Sequence, residues 1–278
     1  MSAQVGYLES GIKLEQAIIK KGVFMKKIFF VLLFVLVIAQ VSYSAVITGN
    51  KKKILCLGDS LTYGTGDSVG NTMGYRDHLL DDLGSTGWQF IGTSLYPHHA
   101  TGYETNHSGY ASLAASQTVN YVSNELSYAF GNSVPDGSVV ILYIGTNDIA
   151  RSVANGTVTG YITSILDSIR TFNTNIKVII PNLGPNGTGA VETRMVSYNT
   201  ALATALATYQ STYPNFNIVL VDMHAAIAND TPGLCGGVGN WQANCYFDTT
   251  HFNDTGYREF GKQILSCMNS ATATNCSL

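Results

Sequence analysis

Charge is scarce in this chain: Asp, Glu, Lys and Arg make up 12% of its 278 residues, roughly half the share that an average soluble domain carries. An excess of positive charge is missing as well. If residues 1–44 are set aside as a leader, five lysines and two glutamates go with them, which leaves 10 basic and 16 acidic residues and a net charge near −6. Nucleic acid is then a poor partner, because its phosphates recruit basic patches. No Cys-x-x-Cys pair occurs, which removes the ligand spacing of a structural zinc site. Gly64, Gly66 and Gly70 have the look of a dinucleotide loop. They start seven residues past Leu57, however, and no acidic residue closes the next strand pattern, Gln89 to Gly92. Both points argue against a dehydrogenase. After Ala45 there is no internal repeat, no linker and no second domain.

The front of the chain is organised differently. Met25-Lys26-Lys27 precedes the apolar run Ile28 to Ala39, and Ser42-Tyr43-Ser44-Ala45 follows it. A basic start, an apolar core too short for a bilayer and small residues for cleavage are the marks of a secretory signal over residues 25–44. An uncleaved membrane anchor is the other reading of that run. Residues 1–24 lie upstream of a complete signal and read as an over-extended start, which leaves residues 46–278 as the mature domain. Its destination is then outside the cell, or the periplasm of a bacterium, where thiols pair. Cys235, Cys245, Cys267 and Cys276 cluster near the C-terminus, and Cys56 sits in the first strand pattern. Four cysteines allow about three connectivities. The economical one joins Cys235 to Cys245 and Cys267 to Cys276, with Cys56 a buried thiol.

Short apolar runs alternate with helical patterns. Ile54 to Leu57, Gln89 to Gly92, Val139 to Ile144, Lys177 to Ile180 and Ile218 to Asp222 are each too short for a helix and rich in β-branched residues, so they read as buried strands. Between them the helical period is followed by Val119 to Phe130, by Val158 to Phe172 and by Val191 to Tyr209. A last helix, capped by Asn253 or Asp254, turns Tyr257, Phe260, Ile264 and Met268 inward. Strands that alternate with helices imply a parallel sheet covered on both faces, here of five strands. The irregular stretches Gly64 to Gly74, Thr93 to Ala111 and Asn229 to Thr250 are long for connections and read as cleft walls.

Gly58-Asp59-Ser60-Leu61 follows directly on the run Ile54 to Leu57 and so puts a serine hydroxyl where a buried strand ends. Strand ends in open α/β sheets face the binding crevice, which suits a nucleophile. Three further segments come later: His107-Ser108-Gly109-Tyr110, Gly145-Thr146-Asn147-Asp148 and Asp248-Thr249-Thr250-His251. Together and in this order the four resemble the sequence blocks of the SGNH (GDSL-type) hydrolases. The resemblance runs from Ile54 to about Met268 and is closest to the acetyl xylan esterase-like branch, in Leu57 to Gly64, Gly74-Tyr75-Arg76 and His251-Phe252-Asn253. Members commonly have Gly-Leu where this chain has Thr249-Thr250, and Pro where it has Phe252; these departures touch loop shape.

The resemblance implies a three-layer α/β/α, flavodoxin-like fold and a serine esterase that needs no metal or cofactor. Ser60 would be the nucleophile. His251 would be the base, since an imidazole exchanges protons near neutral pH, and Asp248 would hold its far ring nitrogen. The other histidines are His78, His98, His99, His107 and His224. His224 is the rival, because Asp222-Met223-His224 also ends a strand with a carboxylate nearby; the Asp-x-x-His block favours His251. His98-His99 reads as loop surface, since no carboxylate follows at metal-site spacing. Oxyanion donors would be the backbone amides of Ser60 and Gly109 and the side-chain amide of Asn147. Asp59 and Asp148 read as turn-bonding residues. Tyr63 and Tyr110 lie close to the nucleophile and would either close the acyl pocket or point into the core and leave the acyl side open, while Tyr96, Tyr103, Trp241 and Tyr246 lie in loops where rings can stack on sugars or pack a loop against its body.

The resulting expectation is a secreted, monomeric esterase that removes O-acetyl or other short acyl groups from a small ester or an acylated plant polysaccharide such as xylan. It would make no stable membrane insertion after signal cleavage. The alternatives are a lipase or thioesterase for longer acyl chains and a non-catalytic carbohydrate-binding protein on the same fold. N-terminal sequencing of exported protein should give a start near Ala45, and thiol titration under denaturing, non-reducing conditions at most one free thiol. Five free thiols would remove the disulfide reading.

Overall fold

The first strand, β1 (Lys52–Gly58), is buried at every position after Lys52. A run apolar on both faces cannot lie at a solvated edge, and it takes the centre of a parallel sheet. A computed structural model of the protein describes residues 51–66, 73–84, 87–94, 106–229, 234–236, 239–269 and 275–277. The expected leader, His98, His99, Tyr96 and Tyr103 lie outside the described residues. The sheet continues through β2 (Trp88–Ile91), β3 (Ser108–Gly109), β4 (Val139–Tyr143), β5 (Lys177–Pro181), β6 (Ile218–Val221) and β7 (Cys276–Ser277). Its order is β2-β1-β4-β5-β6-β7, with β3 paired to the C-terminal end of β1.

The sheet therefore has seven strands where five were expected. The five expected runs are all strands, parallel throughout, and their boundaries differ by a residue or two. The two extra strands have two residues each, too few for a hydrophobic period to register. β3 is parallel to β1, whereas β7 runs antiparallel along the outer side of β6.

Nine helices are described: α1 (Ser60–Tyr63), α2 (Tyr75–Leu83), α3 (Ala115–Phe130), α4 (Thr146–Ala150), α5 (Asn155–Phe172), α6 (Gly189–Thr212), α7 (Met223–Ala228), α8 (Trp241–Cys245) and α9 (Asp254–Asn269). The long helices α3, α5, α6 and α9 follow the periodic stretches of the sequence. The short ones have too few turns to show a period, and α2 carries Asp and His among its apolar positions. α2 packs on α9, and α3, α5 and α6 pack side by side, so the sheet is covered by one group and the other. Asn253 caps α9, its Oδ1 accepting the Gly256 amide at 3.1 Å.

Two lysines tie strand starts to helix ends. Lys53 on β1 donates from Nζ to Phe130 O and Ser133 O, both at 2.9 Å, where α3 ends. Lys177 on β5 does the same at Cys267 O and Met268 O, at 2.9 and 3.1 Å, at the end of α9. Each ammonium meets carbonyls that the helix leaves unpaired. Burial lowers the pKa of both. The disulfides are Cys235–Cys245 and Cys267–Cys276, as expected, and Cys56 is a buried free thiol. Burial pushes the Cys56 thiol up to about 12, which keeps it protonated and unreactive at neutral pH.

Candidate active site

Ser60 stands at the first turn of α1, just beyond the end of β1. Gly58 makes that turn possible by close approach: a Cβ there would overlap the Tyr143 carbonyl oxygen and the Thr62 hydroxyl. Asp59 caps α1, its Oδ1 accepting the Leu61 amide at 3.0 Å. Ser60 Oγ lies 2.9 Å from His251 Nε2. On the far side of the ring, His251 Nδ1 lies 2.8 Å from Asp248 Oδ2.

The loop that supplies the imidazole is closed at its base. Tyr246 and Phe252 form an antiparallel bridge, Phe247 N donates to His251 O at 2.8 Å, and Asn253 N donates to Cys245 O at 3.0 Å. Asp248 Oδ1 accepts the Thr250 and His251 amides, each at 2.7 Å. Burial alone would raise the Asp248 carboxyl, but the His251 side chain and these two amides outweigh it and hold the group below its ordinary value. An ionised Asp248 accepts the Nδ1 hydrogen, which leaves the Nε2 lone pair directed at the Ser60 hydroxyl. The three groups thus form one chain of hydrogen bonds suited to proton transfer.

The expected oxyanion donors are arranged with more surprise. Ser60 N is in the first turn of α1 and has no acceptor within the helix. Gly109 N donates to His107 Nδ1 at 2.9 Å, and Asn147 Nδ2 donates to Leu113 O at 3.0 Å. Both therefore hold intramolecular partners. An Asn amide retains a second hydrogen, whereas the backbone amide of Gly109 has one. Burial first, and the nearby Arg76 second, push the His107 imidazole down to about 2, so it stays neutral and its Nδ1 is an acceptor. Glycine is required at 109 because a Cβ would come within 2.7 Å of Tyr63 N and 2.8 Å of the Thr62 carbonyl carbon.

Tyr63 meets the His107 ring edge-on, with centroids 5.8 Å apart. Tyr110 stands edge-on to Tyr121 at 5.6 Å, and its hydroxyl bonds Glu125 at 2.8 Å and Thr93 at 2.5 Å. Asp148 Oδ2 accepts the Ala115 amide at 2.8 Å. His224, the rival base, faces Glu192 at 2.7 Å, and Asp222 caps α7 through the Ala225 amide at 3.1 Å, so the rival pair does not form. His78 faces Asp254 at 3.1 Å.

Three supports stand outside the four motif blocks, and of these Arg76 belongs to a segment, Gly74-Tyr75-Arg76, that carries the wider resemblance. Arg76, wholly buried, donates to Thr62 O within α1. Glu125 gathers the hydroxyls around Gly109, as described further below. Glu192 Oε2 accepts Asn186 N at 2.6 Å, while Asn186 Nδ2 donates to Thr250 Oγ1 at 3.3 Å and Gly187 N to Thr249 O at 3.1 Å. This third set braces the Asp248–His251 loop from the side. Glu125 did leave a signal in the sequence, since it shares one helical face with Thr118, Val122 and Leu126.

Comparison with known proteins identifies the family and similar folds. The sequence pattern that defines GDSL-like Lipase/Acylhydrolase matches residues 54–264. A multidomain esterase of Ruminococcus flavefaciens is 26% identical over 231 residues, which cover 77% of this chain and 28% of that protein. Solved structures of similar fold include a carbohydrate esterase of family 3 from Talaromyces cellulolyticus, at 21% identity and TM-score 0.59 over 77% of this chain and 94% of that one. A family 3 carbohydrate esterase of Clostridium thermocellum gives 19% and 0.58 over 77% and 93%. An acetylxylan esterase of Geobacillus stearothermophilus gives 16% and 0.54 over 79% and 94%.

Asp59 supplies a test of the electrostatics. Burial pushes its carboxyl up to about 7 against the Leu61 amide bond, which favours the charge. The unfolded value of an aspartate is about 3.9, so between about pH 4 and 7 the folded protein holds the extra proton. Stability linked to this group is therefore full below about pH 4 and declines as pH rises to about 7. Asp59→Asn keeps an acceptor for Leu61 N and removes the titration. Melts at pH 4.5 and pH 8 should show the variant gaining on the wild type as pH rises; a difference independent of pH would show that Asp59 does not titrate in this window.

Proposed function

Because the chain belongs to the family of GDSL-like lipases and acylhydrolases, we propose that it is an exported serine esterase that removes short acyl groups, acetyl foremost, from a carbohydrate such as acetylated xylan. The observation that carries the reading is the relay from Ser60 Oγ through His251 to Asp248, with links of 2.9 and 2.8 Å. Ser60 Oγ attacks the ester carbonyl carbon while His251 Nε2 takes its proton. Asp248 holds the ring in place and stabilises the imidazolium. The tetrahedral intermediate places its oxyanion among the amides of Ser60, Gly109 and Asn147. Collapse breaks the bond to the sugar oxygen, which leaves with the proton from His251. Water then attacks the acyl-serine by the same route in reverse order of roles, releasing the acid and restoring Ser60.

The carbohydrate part of the reading is supported by the names of the relatives, among them the family 3 carbohydrate esterases and the acetylxylan esterase. The preference for short acyl groups is supported by the same relatives, one of which is an acetylxylan esterase. Export is supported by the signal-like sequence and by the two disulfides, which suit an oxidising compartment.

Ser60→Ala and His251→Ala should each nearly abolish ester hydrolysis with the fold intact, because they act as one unit; Asp248→Asn should cost less only if a backbone carbonyl can orient the imidazole in place of the carboxylate. Asn147→Ala should lower kcat by about 10² to 10³ with little change in KM, as loss of one oxyanion donor does. An active His251→Ala beside an inactive His224→Ala would reverse the assignment of the base. For the acyl group, a series of aryl esters should give acetate much faster than butyrate and hardly any octanoate. A maximum at octanoate or beyond would favour a lipase instead.

A further inference from the structure

Glu125 lies on α3 with 8% of its surface exposed, and no step of the proposed reaction uses it. Three hydroxyls converge on its two oxygens. Ser108 Oγ donates to Oε2, Tyr110 OH donates to Oε1 at 2.8 Å, and Thr93 Oγ1 reaches Oε2 at 2.8 Å and Oε1 at 3.1 Å. Thr93 also meets the Tyr110 hydroxyl at 2.5 Å. Ser108 and Tyr110 are the residues immediately before and after Gly109. In extended backbone, side chains one residue apart from a common neighbour point to the same face, so both flanks of Gly109 are pinned to one carboxylate. The opposite face of Gly109 rests on the backbone of Thr62 and Tyr63, with no room for a Cβ.

The direction of the Gly109 amide follows from this arrangement. In a parallel ladder, successive N–H groups point alternately toward and away from the neighbouring strand. Tyr110 N donates to Gly58 O of β1 at 3.0 Å, so Gly109 N points to the other side, off the sheet and toward His107. Only two residues of β3 pair with β1, which leaves the short strand free to roll about its own axis unless something holds its side chains. The Glu125 carboxylate does so.

We propose that Glu125 is a positioning residue: through Ser108 and Tyr110 it fixes the orientation of the Gly109 amide. The proposal rests on the esterase reading given above for the catalytic part of its consequences. A carboxylate accepts at both oxygens, whereas the isosteric amide offers one acceptor and a donor. Glu125→Gln therefore keeps the volume and breaks the symmetry of the clamp.

The experiment has two arms on the full mature protein. In the first, Glu125→Gln is compared with the wild type on an aryl acetate. The variant should lower kcat by about tenfold or more, since small misplacements of a transition-state donor are costly, with KM within about twofold. Tyr110→Phe, which removes one of the three bonds, should give a smaller loss. In the second arm, amide hydrogen exchange is followed by mass spectrometry, a readout independent of turnover. Peptides spanning residues 107–110 should exchange about tenfold faster or more in Glu125→Gln, while β1 and α5 keep their protection. An active wild type with an unchanged kcat in Glu125→Gln, or unchanged exchange at residues 107–110, would overturn the role of Glu125. A wild type with no activity on any ester would overturn the esterase reading instead, and the exchange arm would still decide whether Glu125 orders this segment.

Discussion

The constraint on which the site depends is the placement of β1 between β4 and β3. Its register against β4 runs from Ile54 to Gly58, and Leu57 and Gly58 pair with Ser108 and Gly109 on the other side. Gly58 is the tightest point, pressed on the Tyr143 carbonyl and on Thr62 of α1. Three blocks that are far apart in the sequence thus meet around one glycine. A shift of register by one residue would move Ser60 off the strand end and turn every core side chain of β1 to the opposite face. Ile54 to Leu57 are wholly buried, and the register is held by the ladders to β4 and β3 and by the close fit at Gly58.

What the sequence made legible follows from how far each signal reaches. The long parallel strands and the helices α3, α5, α6 and α9 repeat their pattern often enough to be read, and Ser60, Asp248 and His251 stand in blocks whose order is itself a signal. β3 and β7, with two residues each, have no period. The partner of His224 was not legible either, because Glu192 lies 32 residues upstream and nothing local joins them. The same holds for the internal acceptors of Gly109 and Asn147. A motif names a donor, but the backbone decides what that donor does when no substrate is present. Glycine at 109 illustrates the point: the motif carries the residue, but the reason for it, contact with the backbone of α1, is made by residues far away in the sequence.

Buried ionisable side chains of this fold are met mostly by neutral groups. Asp59 uses the Leu61 amide, Asp148 uses the Ala115 amide and Glu125 uses three hydroxyls. Lys53 and Lys177 face helix carbonyls. Such arrangements suit a chain with few charged residues, and they keep the field near Ser60 governed by oriented dipoles, which do not need to reorganise when charge develops.

The Ser60–His251 hydrogen bond joins residues 191 positions apart. A polypeptide is made and threaded from its N-terminus, and domains fold once their segments are available. The serine therefore emerges early and the imidazole late, beyond the Cys235–Cys245 crosslink and just ahead of α9. Until that last stretch arrives, Ser60 Oγ has no imidazole partner. The separation in sequence acts as a built-in delay, by which assembly of the relay through His251 to Asp248 waits on completion of the fold.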